Sequence, residues 1–131
     1  GWGETPLSVQ WVWPSLLSYE ERHRTLRAFT ERLVTAWAHH DGEPGHPIEV
    51  GHDVTDVTLA ELWRRFNAEA PPGAEPLPWL AALVCSSAFD IALHDAYGVL
   101  HGVSPYATYN ARFLSRDLAD FLQPADDAVS F

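Results

Sequence analysis

Asp90, His94, Tyr97 and His101 recur at offsets of four, three and four, the repeat that sets side chains along one line of an α-helix. A carboxylate, two imidazoles and a phenol on one line could move protons, with Asp90 orienting the His94 ring one turn away. The same set can equally tie a buried helix to its neighbours, each polar group met by a hydrogen bond. The line offers no nucleophile and no oxyanion donors, which favours the tying role. A second group, His39, His40, Asp41, His46 and His52, has the side-chain types that ligate zinc. No pair falls at a ligand spacing such as His-Glu-x-x-His, so these read as histidines of a surface loop and no metal is assigned to them. Trp11 and Trp13 leave two readings open: an indole presented to a substrate by a mobile loop, or two anchors holding that loop on the core. Glu4 reads as a capped or paired carboxylate at the end of a strand.

The elements that would position these groups follow from caps and periodicity. Gly1 to Gln10 alternates loosely through Trp2, Leu7 and Val9, which predicts the tail of a strand, and a Trp-rich loop fills Thr5 to Ser15. Ser18 with Glu21 three residues on forms a capping box. The helix it opens buries Leu26, Phe29, Leu33 and Trp37 and ends by about His40, before Asp41, Gly42 and Pro44. The stretch Glu43 to Asp56 reads as loop, with a short extended piece at Ile48 to Val50. A second helix is predicted from Thr58 to about Glu69, with Leu59, Leu62, Trp63 and Phe66 inward. The Pro-rich turn from Ala70 to Pro78 stays within one domain.

Leu80 to Gly102 then reads as a long, nearly all-round apolar helix. Phe89, Leu93, Ala96 and Leu100 share one face, while Ala81, Cys85, Ala88 and Ala92 form a small-residue face suited to close packing. Gly102 and Pro105 end it. An aromatic stretch from Tyr106 to Phe113 could be extended, and Ser115 caps a last helix from Arg116 to Gln123, stopped by Pro124. The opening in mid-element at Gly1 and the unsignalled tail after Pro124 lead to the expectation of a partial domain.

The 131 residues suffice for one domain with a true core. A formal charge of −10, from 18 acidic and 8 basic residues, leaves no basic face for nucleic acid. Every basic residue is Arg; the chain has no Lys, which excludes Schiff-base chemistry and a lysine base within it. The single cysteine, Cys85, reads as an inert core thiol in a reducing, cytoplasmic compartment. No uninterrupted apolar run of membrane-spanning length and no signal peptide pattern stand out, so no membrane partner is expected.

Taken in order, GWGE at Gly1 to Glu4, the capped helix, ELWRRF at Glu61 to Phe66 and SAFDIALHDAYGVLHGVSPY at Ser87 to Tyr106 resemble the amino-terminal capping domain of the enolase superfamily. The mandelate racemase and muconate lactonizing enzyme branch is the most similar. Asp90, Ala92, Asp95, Gly98, Gly102, Pro105 and Tyr106 match that branch's helix pattern, whereas His94 stands for its usual Trp and Val99 for its usual Lys.

The resemblance implies an α+β fold: the helical part of a capping domain, mainly α with short antiparallel strand pieces, spanning residues 1–131 as a single partial domain without the catalytic barrel. It implies a Mg²⁺-dependent racemase, dehydratase or cycloisomerase that removes the proton α to a carboxylate. The metal and catalytic residues would sit on the barrel, none of them in this chain. The domain's partners would be its own carboxyl-terminal barrel, a small carboxylate substrate, and further copies in a homo-oligomer. By position, the loop after GWGE is similar to a specificity loop, which nominates Thr5, Trp11 and Trp13 as substrate-binding residues. A free-standing helical protein-binding or oligomerisation module is the alternative, and a small metallohydrolase built on the histidines is a third.

Overall fold

Ser18 opens the first long helix as its capping box predicts: Ser18 Oγ accepts from Glu21 N at 3.2 Å, and Glu21 Oε2 accepts from Ser18 N at 3.0 Å. The fold is that of a computed structural model describing residues 1–122. Its elements are α1 (Val9–Val12), α2 (Tyr19–Ala38), α3 (Pro47–Asp53), a π turn (Val54–Leu59), α4 (Ala60–Ala68) and α5 (Trp79–His101). Short 3₁₀ turns follow at Pro105–Thr108 and Leu118–Asp120. The junction residues Val54 and Ala60 stay right-handed helical, so α3, the π turn and α4 form one continuous path.

The core forms where α2 meets α5. Leu26, Phe29 and Leu33 pack against Ala81, Ala82 and Cys85, with Val9, Val12, Trp13, Leu59 and Leu77 closing the edges. Each of the large α2 side chains is buried and contributes about 1.5–3 kcal/mol relative to exposure. Small residues on α5 let the two backbones approach, and the Cys85 thiol donates to Leu26 O across the seam at 3.7 Å. The Pro-rich turn is fastened rather than free. Leu77 N donates to Asn67 Oδ1 at 2.8 Å, and Leu77 O accepts from Asn67 Nδ2 and Trp63 Nε1.

Beyond Cys85 the small face of α5 receives Gly1 to Gly3 instead of a helix. A β-carbon at Gly3 would fall on the Ala88 carbonyl, and one at Gly1 on the Ala92 carbonyl. Two residues thus cover one helical turn, so this segment runs nearly stretched, and Trp2 N donates to Asp95 Oδ2 at 2.8 Å. Gly98 faces Pro105, whose ring would lie 2.9 Å from an added β-carbon. Gly102, at φ +65°, adopts the left-handed turn that ends α5, with Val103 N donating to Gly98 O at 3.1 Å.

Several expectations need correction. Among the described residues there is no strand or sheet, so the fold is all-helical and not α+β. The stretched Gly1 to Glu4 segment packs on a helix and so lacks the ladder that defines a strand, while Val9 to Val12 closes a helical turn. Ile48 to Val50, expected as extended, lies inside α3, because Pro47 at the first helical position and Glu49 two residues later start a helix there. Tyr106 to Phe113 is turns and 3₁₀ helix, begun by Pro105. Of the last predicted helix only Leu118–Asp120 is helical; Gln123 and Pro124 lie outside the described residues. On α5 the face through Phe89 is half-buried, with the Phe89 ring stacked on Trp37, but Leu100 is exposed. By length and composition alone α5 is apolar enough to cross a membrane, a property it shares with core helices of soluble proteins.

Candidate functional site

The polar line of α5 meets α3 and the chain after α5 in one cluster. The Tyr109 hydroxyl lies 2.9 Å from His94 Nδ1, while His94 Nε2 faces Asp90 Oδ1 at 3.8 Å. That second distance is too long for a hydrogen bond, so Asp90 attracts the ring without clamping it. The carboxylate beside Nε2 favours the hydrogen there, which leaves Nδ1 to accept from the phenol. Burial raises the Asp90 carboxyl above its ordinary value despite the opposing pull of His94. Burial, then Tyr106 and Asp90, likewise raises the Tyr109 phenol. The phenol is therefore held as a donor, the wrong state for a nucleophile.

Open space lies on either side of this array. A cavity of about 370 Å³ is lined by Trp2, Ile91, Asp95, Pro105, Tyr106 and Tyr109, together with Asp90 and His94 of the array. A second, of 340 Å³, runs between Gly51, His52, Thr55 and Asp56 and the same Asp90 and His94. Gly51 makes room for the Asp90 carboxylate, which would lie 2.5 Å from a β-carbon there. Among the described residues no three His, Cys, Asp or Glu side chains converge to hold a metal ion.

Beneath the array sits His46, which is buried and not a surface loop histidine as its sequence neighbours suggest. Its ring meets Tyr97, Tyr109 and His94 edge to face, at centroid distances of 5.0, 5.4 and 6.1 Å. Glu49, which no ordinary motif in the sequence singles out, holds the chain after α5. Its Oε1 accepts from Ser115 N, Ser115 Oγ and Arg116 N at 2.7, 2.8 and 2.7 Å, and its Oε2 accepts from His46 N at 2.9 Å. Burial pushes this carboxyl up, but the four hydrogen bonds outweigh burial and hold it at about 2. Arg116 then reaches Asp53 at 2.9 Å, next to the π turn. The sequence signal for Glu49 is Gly-His-Pro-Ile-Glu, a capping box with His in place of Ser or Thr.

The nominated substrate residues separate. Trp13 is buried; its Nε1 donates to Glu75 Oε1 at 2.6 Å, and its carbonyl accepts from Arg22 Nη1. Trp11 is 59% exposed and Thr5 is half-buried. Trp11 lies within α1, whereas Trp13 is its C-cap, where the backbone leaves the helix and the indole turns in to Glu75. Glu75 also accepts from Ser15 Oγ, so the turn after α1 is fastened to the Pro-rich segment before α5. Comparison of the chain with protein-family models, with curated proteins and with solved structures returned no match.

Proposed function

We propose that this domain is a helical lid for a Mg²⁺-dependent enzyme of the enolase superfamily, in the mandelate racemase and muconate lactonizing branch. In this reading a separate barrel holds the metal and the bases and removes the α-proton of a small carboxylate, in a cytoplasmic setting that suits the buried thiol. The lid contributes shape and water exclusion, not catalytic groups.

One juxtaposition carries the reading. The two ends of the resemblance, Gly1 to Glu4 and Ser87 to Tyr106, pack on each other, with Asp95 holding Trp2 N and glycines 1 and 3 lying against Ala88 and Ala92. The matched Gly98 and Gly102 have packing and capping work in the same region, where Pro105 also lies. Trp11, on an exposed turn whose other indole is anchored, is then the side chain free to meet a substrate, with Thr5 at the base of its loop.

The test is α-proton exchange in D₂O, followed by NMR on the protein that carries this domain, with Mg²⁺ and a panel of acid sugars and hydroxy acids. Expected is Mg²⁺-dependent exchange on a narrow set of them, and a Trp11→Ala variant with unchanged melting but at least a tenfold shift in relative kcat/KM between two substrates. Absence of exchange on every carboxylate would sink the enzyme reading. Unaltered selectivity in Trp11→Ala would remove the lid role of that loop.

A second reading, a protein-binding or oligomerisation module, draws on the exposed Val99, Leu100, Val103 and Tyr106 near the end of α5. It expects a concentration-dependent dimer or larger species in sedimentation equilibrium that Leu100→Asp abolishes. A monomer at all concentrations, binding no partner, counts against it.

A further inference from the structure

His46 is the N-cap of α3, a position usually filled by Ser, Thr, Asp or Asn. Its residue is 1% exposed, and both ring nitrogens are engaged. Ile48 N donates to Nδ1 at 3.2 Å, and Nε2 lies 2.8 Å from Thr108 Oγ1. Thr108 has one hydroxyl hydrogen and gives it to Pro105 O at 2.5 Å, so toward His46 the hydroxyl oxygen can only accept. Nε2 therefore carries the ring hydrogen and Nδ1 keeps a lone pair. This network specifies the neutral Nε2–H tautomer. A second proton, on Nδ1, would point at the Ile48 N–H, donor against donor.

We propose that His46 is an acid-released latch: protonation at Nδ1 expels the Ile48 amide from the cap and frees the first turn of α3, while the Nε2–H bond to Thr108 stays in place.

The charged and titratable groups around the ring set when this happens. From α5 come His94, Tyr97 and His101, from the chain after it Tyr109, and from α3 itself Glu49. Burial, then His94, lowers the ring below the ordinary imidazole value; Glu49 pulls the other way, and His101 adds a smaller push downward. The folded ring thus binds its proton less readily than the unfolded chain does. The latch's stability is complete above about 6.5, the ordinary value, and is lost as pH falls from there through the lowered one. Glu49, at about 2, stays ionised throughout that interval. The contacts at Ser115 and Arg116 therefore hold while the Ile48 amide is released from the cap.

Long-range ¹H–¹⁵N correlation of the ring from pH 8 to 4.5, with amide hydrogen exchange over the same range, tests the latch in the intact chain. Expected is the Nε2–H tautomer at pH 8. As the ring titrates, the Ile48 protection factor should drop at least tenfold while those of Ser115 and Arg116 hold. In His46→Asn, which keeps a capping oxygen but has no proton to gain, Ile48 protection should not change over the interval. An Nδ1–H tautomer at pH 8, constant Ile48 protection in the wild type, or a wild-type-like drop in His46→Asn would each overturn the proposal. The first two measurements need no variant, so they decide the matter even where His46→Asn folds poorly.

Discussion

Replacing Glu49 by Gln should be one of the costliest changes of a single atom in this chain. The carboxylate meets four donors, three on Oε1 and one on Oε2. A Gln amide has one acceptor and one donor end. Whichever way it turns, its NH₂ faces either the His46 amide or the trio at Ser115 and Arg116, so a buried donor is left unmet. The depression of the carboxyl from 4.5 to about 2 gives a magnitude: about 3 kcal/mol of stability at neutral pH that depends on the charge.

The sign follows from the direction of that depression. The unfolded chain takes up the proton first as pH falls, so this stability is complete above 4.5 and is lost toward about 2. At pH 3.5 roughly 1.4 kcal/mol of it, close to half, should be gone. Urea unfolding followed by far-ultraviolet circular dichroism at pH 7 and pH 3.5 measures both. With a slope of about 1–3 kcal/mol per molar urea, Glu49→Gln should lower the midpoint by roughly 1–3 M at pH 7. At pH 3.5 the gap between variant and wild type should narrow by about half. A loss below about 0.5 kcal/mol at pH 7, or a gap independent of pH, would refute the assignment of Glu49 as the charged clasp of this region.

Two further substitutions probe the remaining contacts. Gly3→Ala puts a methyl into the backbone of α5 at Ala88 and should detach the Gly1 to Glu4 segment, at about 1–3 kcal/mol, with loss of hydrogen-exchange protection at the Trp2 amide. Protection that survives the substitution would mean that the glycine serves no close approach. Glu75→Ala leaves the Trp13 indole N–H and Ser15 hydroxyl without their acceptor, so limited proteolysis between Trp13 and Leu17 should accelerate and the Trp emission should shift to the red. Unchanged cleavage would show that Arg22, through the Trp13 carbonyl, holds this turn alone.

Local signals carried much of the architecture. Ser18 and Glu21 mark the start of α2, the spacing of Leu26, Phe29 and Leu33 marks its buried face, and Gly102 marks the end of α5. Each depends on residues a turn or less apart. α3 escaped because Gly51 and the Gly-Glu-Pro-Gly run before it read as loop, although Pro47 and Glu49 are helix-starting residues. The polar line on α5 was legible as a line, but its partners come from elsewhere in the chain, Tyr109 from the turns after α5 and His46 from the start of α3. Glu49 lies 66 residues from Ser115, a separation at which spacing carries no information about contact. The strand expected at Gly1 to Gln10 failed because stretched backbone and alternation do not make a sheet without a partner, and here the partner is a helix.

Cys85, buried in the seam between α2 and α5, makes the domain its own stopwatch. Burial raises the thiol above its ordinary value even with Thr30 opposing, so the closed state is a poor target for alkylating reagents. Label can arrive only when the two longest helices part. The turnover of a single sulfur therefore counts full separations of the core and ignores fraying at the Gly1 to Gly3 segment or the Pro105–Thr108 turn. Set beside amide exchange at those outer segments, one thiol distinguishes a domain that loosens at its edges from one that comes apart.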